Sequence, residues 1–180
     1  LLEPNKKHVL FAGALDNPVK DPELAKEIIR IINMQASQSA NPGEGQKQEV
    51  QLIELKGYTR DQVNAHMYTC DALLMTSKTE GSPQVIKEAM ACGLPIVSTD
   101  VGDVKERLTT NFRVPTGNSQ LLSGCYVAKS RNPKEFAKLM EDALAYGQRT
   151  RGHEYIIKAG LTNKSVVGQL LETYNRILHS

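Results

Sequence analysis

Two carboxylates, Glu80 and Glu88, stand eight residues apart in the run EGSPQVIKEAMACGLPIVSTDVGD, which covers residues 80–103. Between them lies Ser82-Pro83, a pair suited to opening a helix. Serine is a preferred N-cap, and proline fits the first helical position because its missing N–H has no partner there anyway. The pattern predicts a helix from Pro83 to about Cys92, stopped by Gly93 in the left-handed conformation. Its free amides, at Gln84 and Val85, form an anion site. Carboxylates repel phosphate but accept hydrogen bonds well from paired sugar hydroxyls. A ligand with a diphosphate in its middle and a diol at each end, a nucleoside diphosphate sugar, satisfies both demands. Spacing alone does not compel this reading. The chain has 20 acidic residues, and an acid in a first turn also complements the helix dipole. Glu88 lies past that turn, near the phase of Gln84 and Cys92.

The elements that must position these groups follow from the hydrophobic pattern. Short apolar runs at His8–Ala12, Val50–Leu55, Ala72–Thr76, Pro95–Thr99 and Cys125–Ala128 read as strands. Helical patterns lie between and after them. ELAKEIIRIINMQ places Leu24, Ile28, Ile31 and Ile32 on one face, and Thr59 caps a helix running to about Tyr68. The segment from Pro133 to Tyr146 aligns Phe136, Leu139, Met140, Ala143 and Leu144, and two more patterns follow near 151–160 and 164–178. Residues 37–48, SQSANPGEGQKQ, read as a surface loop. Alternating apolar strands and helices predict an α/β, Rossmann-like three-layer domain: a parallel sheet of about six strands with helices on both faces. Ligands bind such sheets at the carboxyl ends of the strands, which selects the loops 13–21, 56–59 and 77–84.

Composition removes several classes. The chain has 180 residues, 40% hydrophobic and 23% charged, with a net charge of +2, enough for one globular domain with a core. Basic residues are scattered and aromatics are 5% of the chain, which argues against nucleic acid as a partner. Cys70, Cys92 and Cys125 have no metal-ligand spacing and suit reduced thiols, and His8, His66, His153 and His179 form no ligand pair. No metal is expected.

The run at 80–102 resembles the donor-site signature of the family 4 retaining glycosyltransferases of GT-B fold, E-G-x6-E-A-M-A-x-G-x-P-V-[VI]-x-[ST]-x-x-G. The matching residues are Glu80, Gly81, Glu88, Ala89, Met90, Ala91, Gly93, Pro95, Val97, Thr99 and Gly102. The similarity extends from Gly13 through Lys20 and the strand ending at Gly57 to the helix at 133–146. It covers one half of the GT-B fold, the C-terminal donor-binding lobe. All of residues 1–180 are then a single domain, and the N-terminal, acceptor-binding domain lies outside this sequence.

The resemblance implies roles residue by residue. Glu88 is expected to hold the ribose hydroxyls and Glu80 to contact the transferred sugar. Amides of Gly81, Ser82, Gln84 and Val85 beside Pro83 would lie along the diphosphate and sugar. Lys20, in the loop opened by Gly13, is expected to contact the diphosphate, and Lys56, Gly57 and Tyr58 to border the base. Glu80 and Lys20 are the residues expected to act in catalysis. The family usually has Arg after the first-strand glycine. Here Ala14 stands there, and Arg60 and Lys78 are the candidate replacements. The implied reaction moves a hexosyl group from a UDP- or GDP-sugar to the hydroxyl of a glycan or lipid-linked acceptor with retention, without cofactor or metal. It implies cytoplasmic cell-surface glycan synthesis (capsule or lipopolysaccharide), with the complete enzyme at the inner face of the membrane, and a lobe inactive alone. The competing readings are a sugar-nucleotide epimerase of the same architecture and a non-catalytic α/β nucleotide-binding or regulatory module. The segment 164–178, with Val166, Val167, Leu170, Leu171, Tyr174 and Leu178 as an apolar stripe, either crosses to the second domain or packs on this one.

Overall fold

The computed structural model describes residues 2–38, 48–109 and 120–179. Five parallel strands lie among them: β1 (Lys7–Phe11), β2 (Val50–Glu54), β3 (Ala72–Met75), β4 (Ile96–Thr99) and β5 (Cys125–Ala128). The expected sheet of about six strands therefore has five among the described residues. Most of the expected loop at 37–48 lies outside them, and its first two residues continue a helix.

The strand order is β2-β1-β3-β4-β5. Val9 of β1 pairs with Leu52 of β2 on one side and with Ala72 of β3 on the other. The chain thus leaves β1 in one direction and returns to its opposite edge. The switch point lies between β1 and β3, and the crevice above their carboxyl ends is where such sheets take up ligands.

Period-two alternation sends successive side chains to opposite faces. Val9, Phe11, Leu74 and Val97 meet α1 (Pro22–Gln38) and α5 (Pro133–Tyr146) through Ile28, Ile32, Phe136 and Met140. Leu10, Leu73, Met75 and Ile96 meet α2 (Arg60–Thr69), α3 (Gln84–Ala91) and α6 (Gly152–Lys158) through Met67, Ile86, Met90 and Ile156. The result is the three-layer domain expected from the pattern. A single turn, α4 (Val104–Arg107), and a final helix, α7 (Asn163–Leu178), complete it. No residue of α7 is buried, and Leu170, Leu171, Tyr174 and Leu178 are all exposed. Among the described residues no helix is long and apolar enough to cross a membrane.

Candidate functional site

The loop after β1 begins at Gly13 and turns through a short 3-10 segment, Pro18–Lys20. Asn17 caps it, accepting a hydrogen bond from the Val19 amide at 3.0 Å. Two neighbouring strand ends hold this loop. On one side the Leu55 amide donates to Gly13 O (3.2 Å) and the Leu15 amide to Glu54 Oε1 (2.6 Å). On the other, the Thr76 hydroxyl donates to Lys20 O at 2.7 Å and lies 3.0 Å from Asp21 O, while the Lys78 amide donates to Val19 O at 2.8 Å. Lys20 is thereby presented over the switch point.

Gly13 has a steric role here. A Cβ at this position would sit 2.6 Å from Lys20 Cγ, so the lysine stem lies directly across the glycine. The stem carries the ammonium to Glu80, whose Oε1 is 2.5 Å from Nζ. The two groups expected to act at the reacting end are therefore brought together, from residues sixty apart in the chain.

The start of α3 departs from expectation. Ser82 does not cap it, and Pro83 is not its first helical residue. Pro83 is itself the N-cap, with φ −65° and ψ 118°, and no side chain caps the helix. The Ser82 hydroxyl donates instead to Asp103 Oδ2 at 2.8 Å, which also accepts from Arg107 Nε at 2.7 Å. The Ser82 oxygen accepts from Lys87 Nζ at 3.2 Å, so the hydroxyl both donates and accepts away from the helix amides. Burial works to raise the Asp103 pKa, but the bonds from Ser82 and Arg107 outweigh it and hold the carboxyl below its ordinary value. Ile86 N–H donates to Pro83 O at 3.3 Å. The Gln84 and Val85 amides, with no helical carbonyl behind them, remain at the helix mouth as expected.

The helix ends as predicted. Gly93 is left-handed at φ +65°, and the Gly93 and Leu94 amides close on Met90 O and Ala89 O in a Schellman arrangement. Gly102 fixes the other side of the Glu80 loop. It is also left-handed (φ +57°), and a Cβ there would lie 2.0 Å from Gly81 O. The Asp103 amide donates to that same oxygen at 3.1 Å.

Because α3 begins at Gln84 and not at Pro83, Glu88 is its fifth residue, and its Oε1 lies 3.3 Å from Arg60 Nη2 at the start of α2. Lys56 pairs with Asp16 across the β1 and β2 loops, and that hydrogen bond holds the Asp16 carboxyl below its usual range. Gly57 is left-handed at φ +76°, and the Tyr58 ring lies 4.5 Å from the His66 ring, tilted by 45°. Of the two candidate replacements for the arginine missing at Ala14, Arg60 thus faces Glu88. Lys78 lines a cavity of about 250 Å³ at the ends of β4 and β5, together with Asp100, Lys129 and Arg131. Neither is shown against Lys20.

Sequence reasoning missed Arg131. Its guanidinium reaches Asp21 and the ends of β3, and nothing in the local run SRNP announces it. Asp103 was not assigned a place in the site either, and the Gly-Asp pair at 102–103 was the available signal. No three His, Cys, Asp or Glu side chains converge as a metal-ligand set among the described residues.

The fold and the crevice define a class: a three-layer α/β lobe with a cation and a carboxylate, Lys20 and Glu80, meeting at the switch point of its sheet. A family model described as glycosyl transferases group 1 matches residues 6–145, and the chain belongs to that family. No curated protein matches the sequence significantly. Among solved structures, the sucrose-phosphate synthase of Thermosynechococcus elongatus is similar with TM-score 0.65 and 15% identity, over 99% of this chain and 47% of that one. The pneumococcal O-GlcNAc transferase GtfA, solved with UDP and GlcNAc, gives TM-score 0.61 and 14% identity, over 98% of this chain and 37% of that one. The α,α-trehalose 6-phosphate synthase of Burkholderia multivorans gives 0.61 and 13%, over 97% and 43%. At these identities the likeness shows the fold, that of one lobe of a GT-B enzyme. The chain spans less than half the length of each of these proteins.

Proposed function

We propose that this chain is the donor-binding lobe of a glycosyltransferase, holding a nucleoside diphosphate sugar in the crevice between the β1 and β3 loops. The observation that carries the reading is the meeting of Lys20 with Glu80 at 2.5 Å, over the switch point. An ammonium and the amides of Gln84 and Val85 suit the diphosphate. Glu80 and Glu88, on either side of them, suit the hydroxyls of the transferred sugar and of the ribose. Lys56, Gly57 and Tyr58 border the base. The leaving group of such a transfer is the diphosphate, and fixed cations and helix amides stabilise its developing charge without metal.

In this reading a hexosyl group leaves a UDP- or GDP-sugar with retention and passes to a glycan or lipid-linked acceptor in cell-surface glycan synthesis, on the cytoplasmic side. The acceptor groups belong to a second lobe. Two observations support that lobe: the chain matches less than half of each related structure, and α7 presents an apolar stripe that this domain leaves uncovered. Turnover then requires both lobes.

Calorimetric titration of the folded chain with UDP, GDP and ADP and with their sugars tests the reading. Binding of at least one nucleoside diphosphate, stronger than that of its nucleoside, is the expected result. A folded chain that binds none of them at millimolar concentration would sink the proposal.

A further inference from the structure

Arg131 stands in the loop between β5 and α5, yet its partners are on two other loops. Its Nη2 donates to Thr76 O at 2.7 Å and to Asp21 Oδ2 at 2.5 Å, and its Nη1 donates to Ser77 O at 3.2 Å. The guanidinium therefore crosses the end of β4 to reach the end of β3 and the loop after β1. Asp21 directly follows Lys20 and is the only non-glycine residue with positive φ among the described residues, at φ 50° and ψ 62°. Left-handed backbone is uphill for a residue with a Cβ, so the surroundings must hold it. Thr76 completes the bracket, since its hydroxyl donates to Lys20 O while its carbonyl accepts from Arg131. A planar fork with several donors can hold a carboxylate and two carbonyls at once, which an ammonium cannot do with the same geometry.

We propose that Arg131 is a positioning residue for the diphosphate end of the crevice. By tying Asp21 to the end of β3, it sets where Lys20 projects relative to Glu80. Its contacts are to Asp21, Thr76 and Ser77, and its effect passes through Lys20. This inference rests on the donor-site reading above.

The test uses the whole chain, with UDP and GDP as diphosphate probes and uridine and guanosine as their nucleosides. The quantity read is the preference for diphosphate over nucleoside, together with the melting temperature. Arg131→Met is expected to reduce that preference by roughly fivefold or more, the scale of coupling between neighbouring residues, while nucleoside affinity stays unchanged. In a Lys20→Ala background the same substitution is expected to change the preference no further. A purely structural role would instead weaken nucleoside and diphosphate alike, and would do so with or without Lys20; that result overturns the proposal. If Arg131→Met does not fold, Asp21→Gly removes the carboxylate tie without adding strain at this left-handed position and leaves both carbonyl contacts in place, and the same loss is expected. Should the unmodified chain bind no diphosphate, the donor-site reading falls and this inference with it. Should it bind and the Arg131→Met preference be unaltered, only this inference falls.

Discussion

Lys20 Nζ lies 2.5 Å from Glu80 Oε1, with side chains only 24% and 17% exposed. The cation proposed to meet a diphosphate is therefore paired with the carboxylate proposed to meet the sugar. On the donor-site proposal, a phosphate competes with Glu80 for Lys20, and its binding frees the carboxylate for the sugar hydroxyls. Glu80→Gln removes the competitor without changing shape. Binding of UDP or GDP to that variant is expected to tighten by up to about fivefold, the range of a partly exposed ion pair. The added affinity from the sugar moiety of a nucleotide sugar is expected to shrink. Calorimetry on both ligands checks this, and unchanged or weaker diphosphate binding would contradict it.

Glu88 reads differently. Its partner Arg60 is 80% exposed and reaches it at 3.3 Å, so their pairing contributes little to stability. Glu88→Ala is expected to leave the melting temperature nearly unchanged. It should weaken nucleoside and diphosphate binding equally, by about 1–3 kcal/mol, the cost of leaving ligand hydroxyls without their acceptor. Arg60→Ala should likewise act equally on both ligands, because the guanidinium faces Glu88, the residue proposed to hold the ribose. A loss confined to the diphosphate would return Arg60 to the role of the missing arginine.

The contact between Gly13 and the lysine stem gives a coupled prediction. Gly13→Ala drives a Cβ to 2.6 Å from Lys20 Cγ and so displaces the ammonium from Glu80. Diphosphate binding is expected to fall by about 1 kcal/mol, within the coupling range for residues in contact. In a Lys20→Ala background the obstructing Cγ and Cδ are absent, and Gly13→Ala should then cost little further affinity. Equal losses in the two backgrounds would show that the glycine serves the backbone rather than the lysine.

The parts of this molecule that were legible in its sequence are those governed by local rules. Apolar runs marked all five strands, and Gly93 marked the end of α3 because only one residue type enters the left-handed turn cheaply. The Thr59 cap was legible through its own capping box with Gln62. Ser82 shows where local rules stop. Its hydroxyl donates to a carboxylate 21 residues away and caps no helix amide. The Arg131 bracket joins residues 54 to 110 positions apart, and the Lys20–Glu80 pair joins residues 60 apart. Only the strand order brings those loops together. The candidate site residues could be named one by one from local motifs, while their pairing depends on topology.

The two fully buried thiols give a prediction that depends on the fold rather than the site. Burial raises the Cys70 pKa to about 12, with a smaller push from Asp71, and burial raises Cys125 to about 12 as well. Both stay protonated in the folded chain, whereas in the unfolded chain they ionise near 8.5. The unfolded state therefore sheds protons first as pH rises. The stabilisation tied to these thiols is fully present below about pH 8.5 and is lost progressively as pH climbs from there through about 12. Each thiol contributes a slope of up to about 1.4 kcal/mol per pH unit within that window. Urea unfolding at closely spaced values from pH 8 to 10.5 is expected to show Cys125→Ala less stable than the unmodified chain at pH 8, because a core atom is lost. The variant's stability should then decline less steeply with pH. Parallel declines would mean that the Cys125 thiol reaches solvent and ionises in the folded state.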